Sequence, residues 1–267
     1  MKIFLWLVLA IAVSVSIFGF SRVKSYAPVY VPPTASAGVL RDLKFTQVSP
    51  LDEPYRSEFD NCDRNDTFQG VAMNGSRSCN DDHNNLRALI KFPNGTIMAE
   101  SKLGLDLDGS WKACRSPGHT DQCATWFTWN GLPEPDRYVD ADKFPYVVIP
   151  VAGLNRVNDP TFRNKTGVGK GDLGVVVYKD KVVPVFVADG GPHNKFGEGS
   201  AALLQAIGED RCRRRENGHC VAYKNTSVPD KVIVFLFPGS KISGLTPANA
   251  LQKIRVEALR RFEELKR

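Results

Sequence analysis

The chain has no Cys-x-x-Cys pair, no His-Glu-x-x-His run and only four histidines in 267 residues. Those absences exclude the common zinc spacings, in which two ligands come from one turn or one helix face. No Gly-x-Ser-x-Gly elbow occurs either, so an α/β-hydrolase serine has no candidate. The glycine-rich "GVGKGDLG" at 167–174 sets Lys170 before a glycine, where a phosphate loop needs Lys followed by Ser or Thr. There is no internal repeat. What is left for chemistry is carboxylates.

Long apolar runs are also scarce, with one exception. Lys2 precedes the 18-residue "IFLWLVLAIAVSVSIFGF", and Arg22 and Lys24 follow it. Residues 1–21 read as a secretory signal peptide, with Gly19 and Ser21 as the small residues before a cut, or as an uncleaved anchor spanning residues 3–20. "YAPVYVPPTASAG" continues as a proline-rich tether over 22–40, without periodicity. Residues 41–267 are long enough for one domain with a sizeable core.

All six cysteines lie beyond that segment, at positions 62, 79, 114, 123, 212 and 220. An even count in an exported chain argues for disulfides. Neighbour pairing (62–79, 114–123, 212–220) is favoured, because each bridge would close a loop rich in Gly, Asp and Asn. Asn-x-Ser/Thr sequons begin at Asn65, Asn74, Asn94, Asn164 and Asn225. The net charge of +6 is unevenly spread, since residues 51–200 carry 17 Lys and Arg against 21 Asp and Glu. The basic excess sits at the two ends. It reads as a solvated face or a contact with an anionic membrane surface, not as a nucleic-acid site in an exported chain.

Along the chain, polar residues 51–85 read as a long cysteine-clamped loop. "LRALIKFPNGTIMAESKLGLDLDG" predicts a hairpin with arms 86–92 and 96–107 about the "PNG" turn. "KFPYVVIPVAG", "DLGVVVYKDKVVPVFVAD" and "DKVIVFLFPGS" are further β-branched runs, the middle one a hairpin through "YKDK". Helices are expected in "GEGSAALLQAIGED", opening after its glycines, and from Thr246 and Pro247 onward, the latter with Leu251, Ile254, Ala258, Phe262 and Leu265 on a core-facing stripe. The fold class is therefore mainly β with a few helices: a single compact, β-barrel-like domain with a C-terminal helix.

Two acids stand out. Asp189 ends the apolar strand "VVPVFVA", and Glu198 precedes "GSAALLQAIG", so the core anchors both backbones. The intervening "GGPHNKFG" bends freely and lets the two carboxyls face one cleft. Glycosidic hydrolysis needs that pairing: one carboxyl gives a proton to the leaving oxygen, and a second carboxylate activates water or attacks. The plain alternative is a turn aspartate and a glutamate favoured by a helix dipole.

The stretch "GDLGVVVYKDKVVPVFVADGGPHNKFGEGSAALLQAIG" resembles the signature region of glycoside hydrolase family 75, the chitosanases best known from fungi. That family ends a hairpin strand in Asp before a glycine-rich loop, then begins a helix with Gly-Glu-small-Ser. Its proposed catalytic acids match Asp189 and Glu198. "AESKLGLDLDGSW" resembles an upstream Asp-rich segment through Asp106, Asp108 and Gly109, and "KFPYVVIP" matches a Pro-Tyr-apolar-Val strand. The resemblance spans roughly residues 85–210. It departs after Asp189, where Gly190-Gly191-Pro192-His193 replaces a Thr-Asn-Gly-like loop, and at Gly109, where the family has cysteine.

The resemblance implies an inverting endo-hydrolase of chitosan or a related aminosugar polymer, with one of Asp189 and Glu198 as acid and the other as base; the sequence does not assign the roles, and analogy favours Asp189 as acid. The sequence shows no sign of a required metal or cofactor. The resemblance also implies a polysaccharide substrate, a monomer, and a secreted or membrane-anchored location. Aminosugar ammonium groups call for carboxylates, and Asp106, Asp108 and Asp172 are candidates; Asp106 and Asp108 equally suit a strand-end turn. Trp126 and Trp129, with Trp111 nearby, either stack on sugar rings or fill the core. His193 and Lys195 either touch substrate or are solvated loop residues. The "ADGGP…GEGSAALLQAIG" cadence also resembles double-psi barrel proteins such as the rare-lipoprotein-A type of lytic transglycosylase. That likeness implies a double-psi-like barrel and brings in two rivals: a peptidoglycan-cleaving enzyme, and a non-catalytic polysaccharide-binding module on an expansin-like barrel.

Overall fold

The computed structural model describes residues 30–51, 54–115, 121–152, 161–224 and 226–267. The signal or anchor reading falls on residues 1–21, outside them. Among the described residues no helix is long and apolar enough to cross a membrane.

The strands in chain order are β1 (Ser49–Pro50), β2 (Thr67–Phe68), β3 (Val71–Ala72), β4 (Ala88–Lys91), β5 (Ile97–Ser101), β6 (Gly104–Asp106) and β7 (Tyr146–Ala152). They continue as β8 (Leu173–Tyr178), β9 (Lys181–Pro192), β10 (Glu198–Ser200), β11 (Cys212–Glu216), β12 (His219–Tyr223) and β13 (Val232–Phe237). The helices are α1 (Ala37–Leu40), α2 (Tyr55–Asn65), α3 (Trp111–Arg115), α4 (Thr161–Thr166), α5 (Ala201–Ala206) and α6 (Ala250–Glu264).

Nine strands form one mixed sheet in the order β1-β4-β5-β13-β8-β9-β7-β10-β6. The fold is mainly β with few helices and ends in α6, in line with the sequence reading. The barrel-like description fits only loosely. β1 and β6 are separate edges of two and three residues, and the sheet does not close. Closure would have required those edges to pair.

Both faces of the sheet are buried, which is why its central strands read as unbroken apolar runs. Val176, Val185, Val234 and Ile149 point into a core shared with Phe59 of α2 and Leu203 of α5. Val175, Phe186, Phe235 and Tyr146 point into the opposite core, which Ile254, Ala258 and Phe262 of α6 complete. The C-terminal stripe thus packs on the sheet, apart from Leu251, which is exposed. The helix itself starts at Ala250, after Asn249, not at Pro247.

Two elements depart from the sequence reading. The supposed loop over 51–85 contains α2, whose Tyr55, Phe59 and Cys62 recur at helical spacing and are buried. Its other faces carry Asp, Arg and Asn, which hid the stripe. The segment "CRRRENGHC" is a hairpin, β11–β12, turning at Asn217 (φ 49°) and Gly218 (φ 82°). Paired positive φ values at Asn-Gly are the geometry that two-residue hairpins favour.

The tether expected over 22–40 is packed from Tyr30 onward. Tyr30 donates a 2.5 Å hydrogen bond to buried Glu100 Oε2, Arg87 pairs with Glu100 Oε1 at 3.1 Å, and Leu40 is core. Hydrophobic burial of Leu40 and Tyr30 extends the domain back to residue 30.

All three neighbour disulfides form, Cys62–Cys79, Cys114–Cys123 and Cys212–Cys220, which places the folded chain in an oxidising environment. The first ties α2 to the segment carrying Ser78 and Asp82. Cys62→Ser with Cys79→Ser opens a 17-residue separation and is expected to cost about 3 kcal/mol in urea denaturation.

Candidate functional site

Asp189 and Glu198 are brought together by one residue of β7. In β9, Asp189 pairs with Val148; in β10, Glu198 pairs with the same Val148 from the other side. Two strand spacings put their Cα atoms about 9.5 Å apart. β6 completes the row, with Gly104 opposite Glu198 and Asp106 opposite Ser200. Side chains at paired positions share a face, and residues two apart along a strand share it too. Gly104, Asp106, Glu198 and Asp189 therefore lie on one face at the β6 edge.

The glycines make this crowding feasible. A Cβ on Gly191 would lie 3.5 Å from Glu198 Oε2 and 3.1 Å from Val148 Cγ1, and one on Gly190 would lie 2.0 Å from Val151 Cγ2. Gly197, with φ +84°, brings its backbone so close that a Cβ would lie 2.3 Å from the Lys102 carbonyl oxygen. Gly197→Ala is expected to cost about 3 kcal/mol or more in thermal or urea denaturation, from left-handed strain plus a backbone clash.

Asp189 is 6% exposed. Its Oδ1 accepts from the Trp126 N–H (3.1 Å) and the Gly190 N–H (2.7 Å), while Oδ2 has no hydrogen-bond partner among the described residues. One oxygen each from Asp106, Asp108 and Asp189 lies within 4.8 Å of the others. Carboxylates that close cannot all ionise. Burial first, then the Asp108 charge, pushes the Asp189 carboxyl up to about 8, against the two N–H bonds. Burial also raises Asp106, well above the usual range, and Asp108. Burial and the Asp108 charge therefore favour the protonated form of Asp189. The same three oxygens have the donor chemistry for a hard cation.

Local hydrogen bonds fix the Asp-rich turn. Asp106 Oδ1 accepts from the Asp108 N–H at 2.9 Å, and Asp108 Oδ1 accepts from the Gln122 N–H at 2.7 Å. These bonds close the turn, as one of the two readings of Asp106 and Asp108 expects. Tyr146, buried beneath, donates through its hydroxyl to the Asp108 carbonyl at 2.9 Å.

Glu198 lines a cavity of about 560 Å³ with Asp81, Asp82, Asp121, Lys102, Lys112, Tyr223 and Ser227. Asp106, Asp108 and Asp189 are all set back from this cavity's lining; Asp106 and Asp108, both half-buried, are the more exposed members of the cluster. Burial raises the Glu198 carboxyl, and Lys102 opposes that rise.

The remaining expected site residues are placed elsewhere. Trp129 is core, ringed by Phe127, Phe144 and Phe186, and cannot stack on a sugar. Asp172 is buried and its carboxylate closes its own turn by accepting from the Gly169 N–H at 2.8 Å. His193 is buried with its ring edge-on to Phe68 at 5.3 Å. Apolar packing and local hydrogen bonding claim these three in place of substrate. Lys195 is buried, not solvated, and its Nζ is held by the Ser78 and Asp82 carbonyls. Trp126 is half-buried beside Asp189, with Lys170 Nζ 5.5 Å from its ring centre. Trp111 stacks on His219 at 4.9 Å and lines a different cavity.

Sequence reasoning missed Lys102, Asp82 and Tyr223. The available signal was Lys102 itself, a charged residue between Ser101 and Leu103 in an otherwise apolar-alternating run. No protein-family model matches the chain, and no curated protein matches it significantly.

Proposed function

We propose that the chain is an exported glycoside hydrolase that cleaves β-1,4 bonds within chitosan or a related aminosugar polymer by inversion. The observation that carries this reading is the pair of carboxyls flanking Val148: buried Asp189, pushed up to about 8, and half-buried Glu198, which lines a cavity with Lys102. Asp189, charged with its proton by Asp106 and Asp108, acts as the acid. Glu198 acts as the base that takes a proton from the attacking water. The two backbones stand about 9.5 Å apart across β7, and inversion requires the carboxyls themselves to be about 6.5–9.5 Å apart, with the water between.

The cavity supports a cationic substrate. Asp81, Asp82, Asp121 and Glu198 outnumber Lys102 and Lys112 along its wall, and aminosugar ammonium groups are attracted by such a surface. The resemblance to family 75 chitosanases supports the same substrate. The disulfides and the N-terminal apolar run support export, by cleavage of residues 1–21 or by retention of residues 3–20 as an anchor; the enzyme acts as a monomer on the polymer.

The test is to incubate residues 30–267 with chitosan and with peptidoglycan and to measure new reducing ends, with Asp189→Asn/Glu198→Gln as control. The expected result is cleavage of chitosan only, abolished in the double variant. Cleavage of peptidoglycan alone replaces the substrate, and binding without cleavage leaves a polysaccharide-binding module.

A further inference from the structure

Two lysines, each 5% exposed, converge on a single carboxylate beside Glu198. Lys102 Nζ hydrogen bonds to Asp82 Oδ1. Lys195 Nζ donates to the Ser78 carbonyl at 2.5 Å and the Asp82 carbonyl at 2.9 Å, and lies 3.6 Å from Asp82 Oδ2. Buried ammonium groups require compensation. Asp82 neutralises one of the two, so one positive charge is unbalanced unless a second carboxylate stands nearby.

Glu198 is that carboxylate. A Cβ built on Gly104 would lie 3.6 Å from Glu198 Cγ and 3.7 Å from Lys102 Nζ, so both side chains meet over the same bare stretch of β6. Lys102, Asp82 and Glu198 also line one cavity. The two lysines are not equivalent. Lys195 is tied to the Ser78 and Asp82 backbone, whereas Asp82 is the sole hydrogen-bond partner of Lys102 Nζ among the described residues. Lys102 keeps donors in reserve for the cavity.

We propose that Lys102, held by Asp82, is a positioning residue that keeps Glu198 ionised and turned toward the cavity, so that the two buried lysines are balanced by half-exposed Asp82 and half-buried Glu198 only with Glu198 as a carboxylate. This rests on the reading of Glu198 as base. Among the charged groups around Glu198, Lys102 and Lys195 favour its ionised form and Asp82, Asp106 and Asp108 oppose it, while Lys112, Asp81 and Asp121 line the same cavity. Removing one of each sign therefore has opposite consequences, which loss of packing alone would not produce.

The experiment follows the carboxyl carbon of Glu198 by ¹³C NMR against pH, assigned by its absence in Glu198→Gln, beside the pH–rate profile on chitosan. Lys102→Met is expected to raise the Glu198 titration by about one unit or more. Asp82→Asn is expected to lower it, and Lys102→Arg to leave it near the wild type. A thermal melt of each variant identifies any that does not fold, and Asp82→Asn and Lys102→Arg then decide. An unmoved titration in folded Lys102→Met, or shifts of the same sign in Lys102→Met and Asp82→Asn, overturns the role of Lys102. A titration that moves as expected while the acid limb of the rate profile stays fixed upholds the Lys102 pairing and overturns Glu198 as base.

Discussion

Asp189→Asn is expected to lower turnover of chitosan oligomers by about 10²- to 10⁴-fold, the usual worth of a positioned general acid. The side chain keeps its shape, and its amide oxygen still accepts from the Trp126 and Gly190 N–H groups. Only the proton is lost. In the wild type, activity falls as pH rises through about 8, where Asp189 ionises. Asp108→Asn removes the charge that ranks second in holding that proton, so this alkaline limb moves to lower pH. Stability follows the same sign. A carboxyl raised to about 8 in the fold binds its proton more tightly than in the unfolded chain, where it titrates near 4. The stabilisation is full below about 4 and is lost as pH rises to about 8. Asp189→Asn is expected to flatten that decline in a series of thermal melts, trading activity for stability at high pH.

Glu198→Gln is expected to show a loss of similar size, about 10²- to 10⁴-fold, for a different reason. The amide still fits between Gly104 and Gly191 but cannot accept a proton from water. Its melting temperature should fall, because the buried Lys102 and Lys195 then keep only Asp82 to balance them; in the wild type the acid limb of the rate profile reports protonation of Glu198. If Glu198→Gln kept wild-type turnover, the residue would be a structural neighbour of Lys102 and no base.

Much of the fold was legible because its signals are local. The "PNG" turn and the two-sided burial of "VVVYKDKVVPVFVA" appear directly in composition and period. α2 was not legible, because an amphipathic helix bearing Asp60, Asp63 and Arg64 on its open faces has the same composition as a loop. Sheet order was beyond sequence too. The parallel pairing of β7 with β9 and of β6 with β10 joins residues far apart in the chain, and it leaves the sheet open. The same long-range pairing explains the site. Asp106, Asp108, Asp189 and Glu198 were visible as strand-end acids, but that three of them converge depends on β6 and β9 lying across β10 and β7. Trp129, Asp172 and His193 illustrate the converse: polar or aromatic residues near a motif, which packing and local hydrogen bonds absorb.

The central claim, an inverting Asp189/Glu198 pair, is tested most directly by ¹H NMR of the first sugars released from a β-linked chitosan oligomer. Water attacking from the face opposite the leaving group predicts the α-anomer first, with the β-anomer appearing only as mutarotation proceeds. The β-anomer first would mean a covalent or retaining route, and no released sugar at all would contradict the enzyme itself.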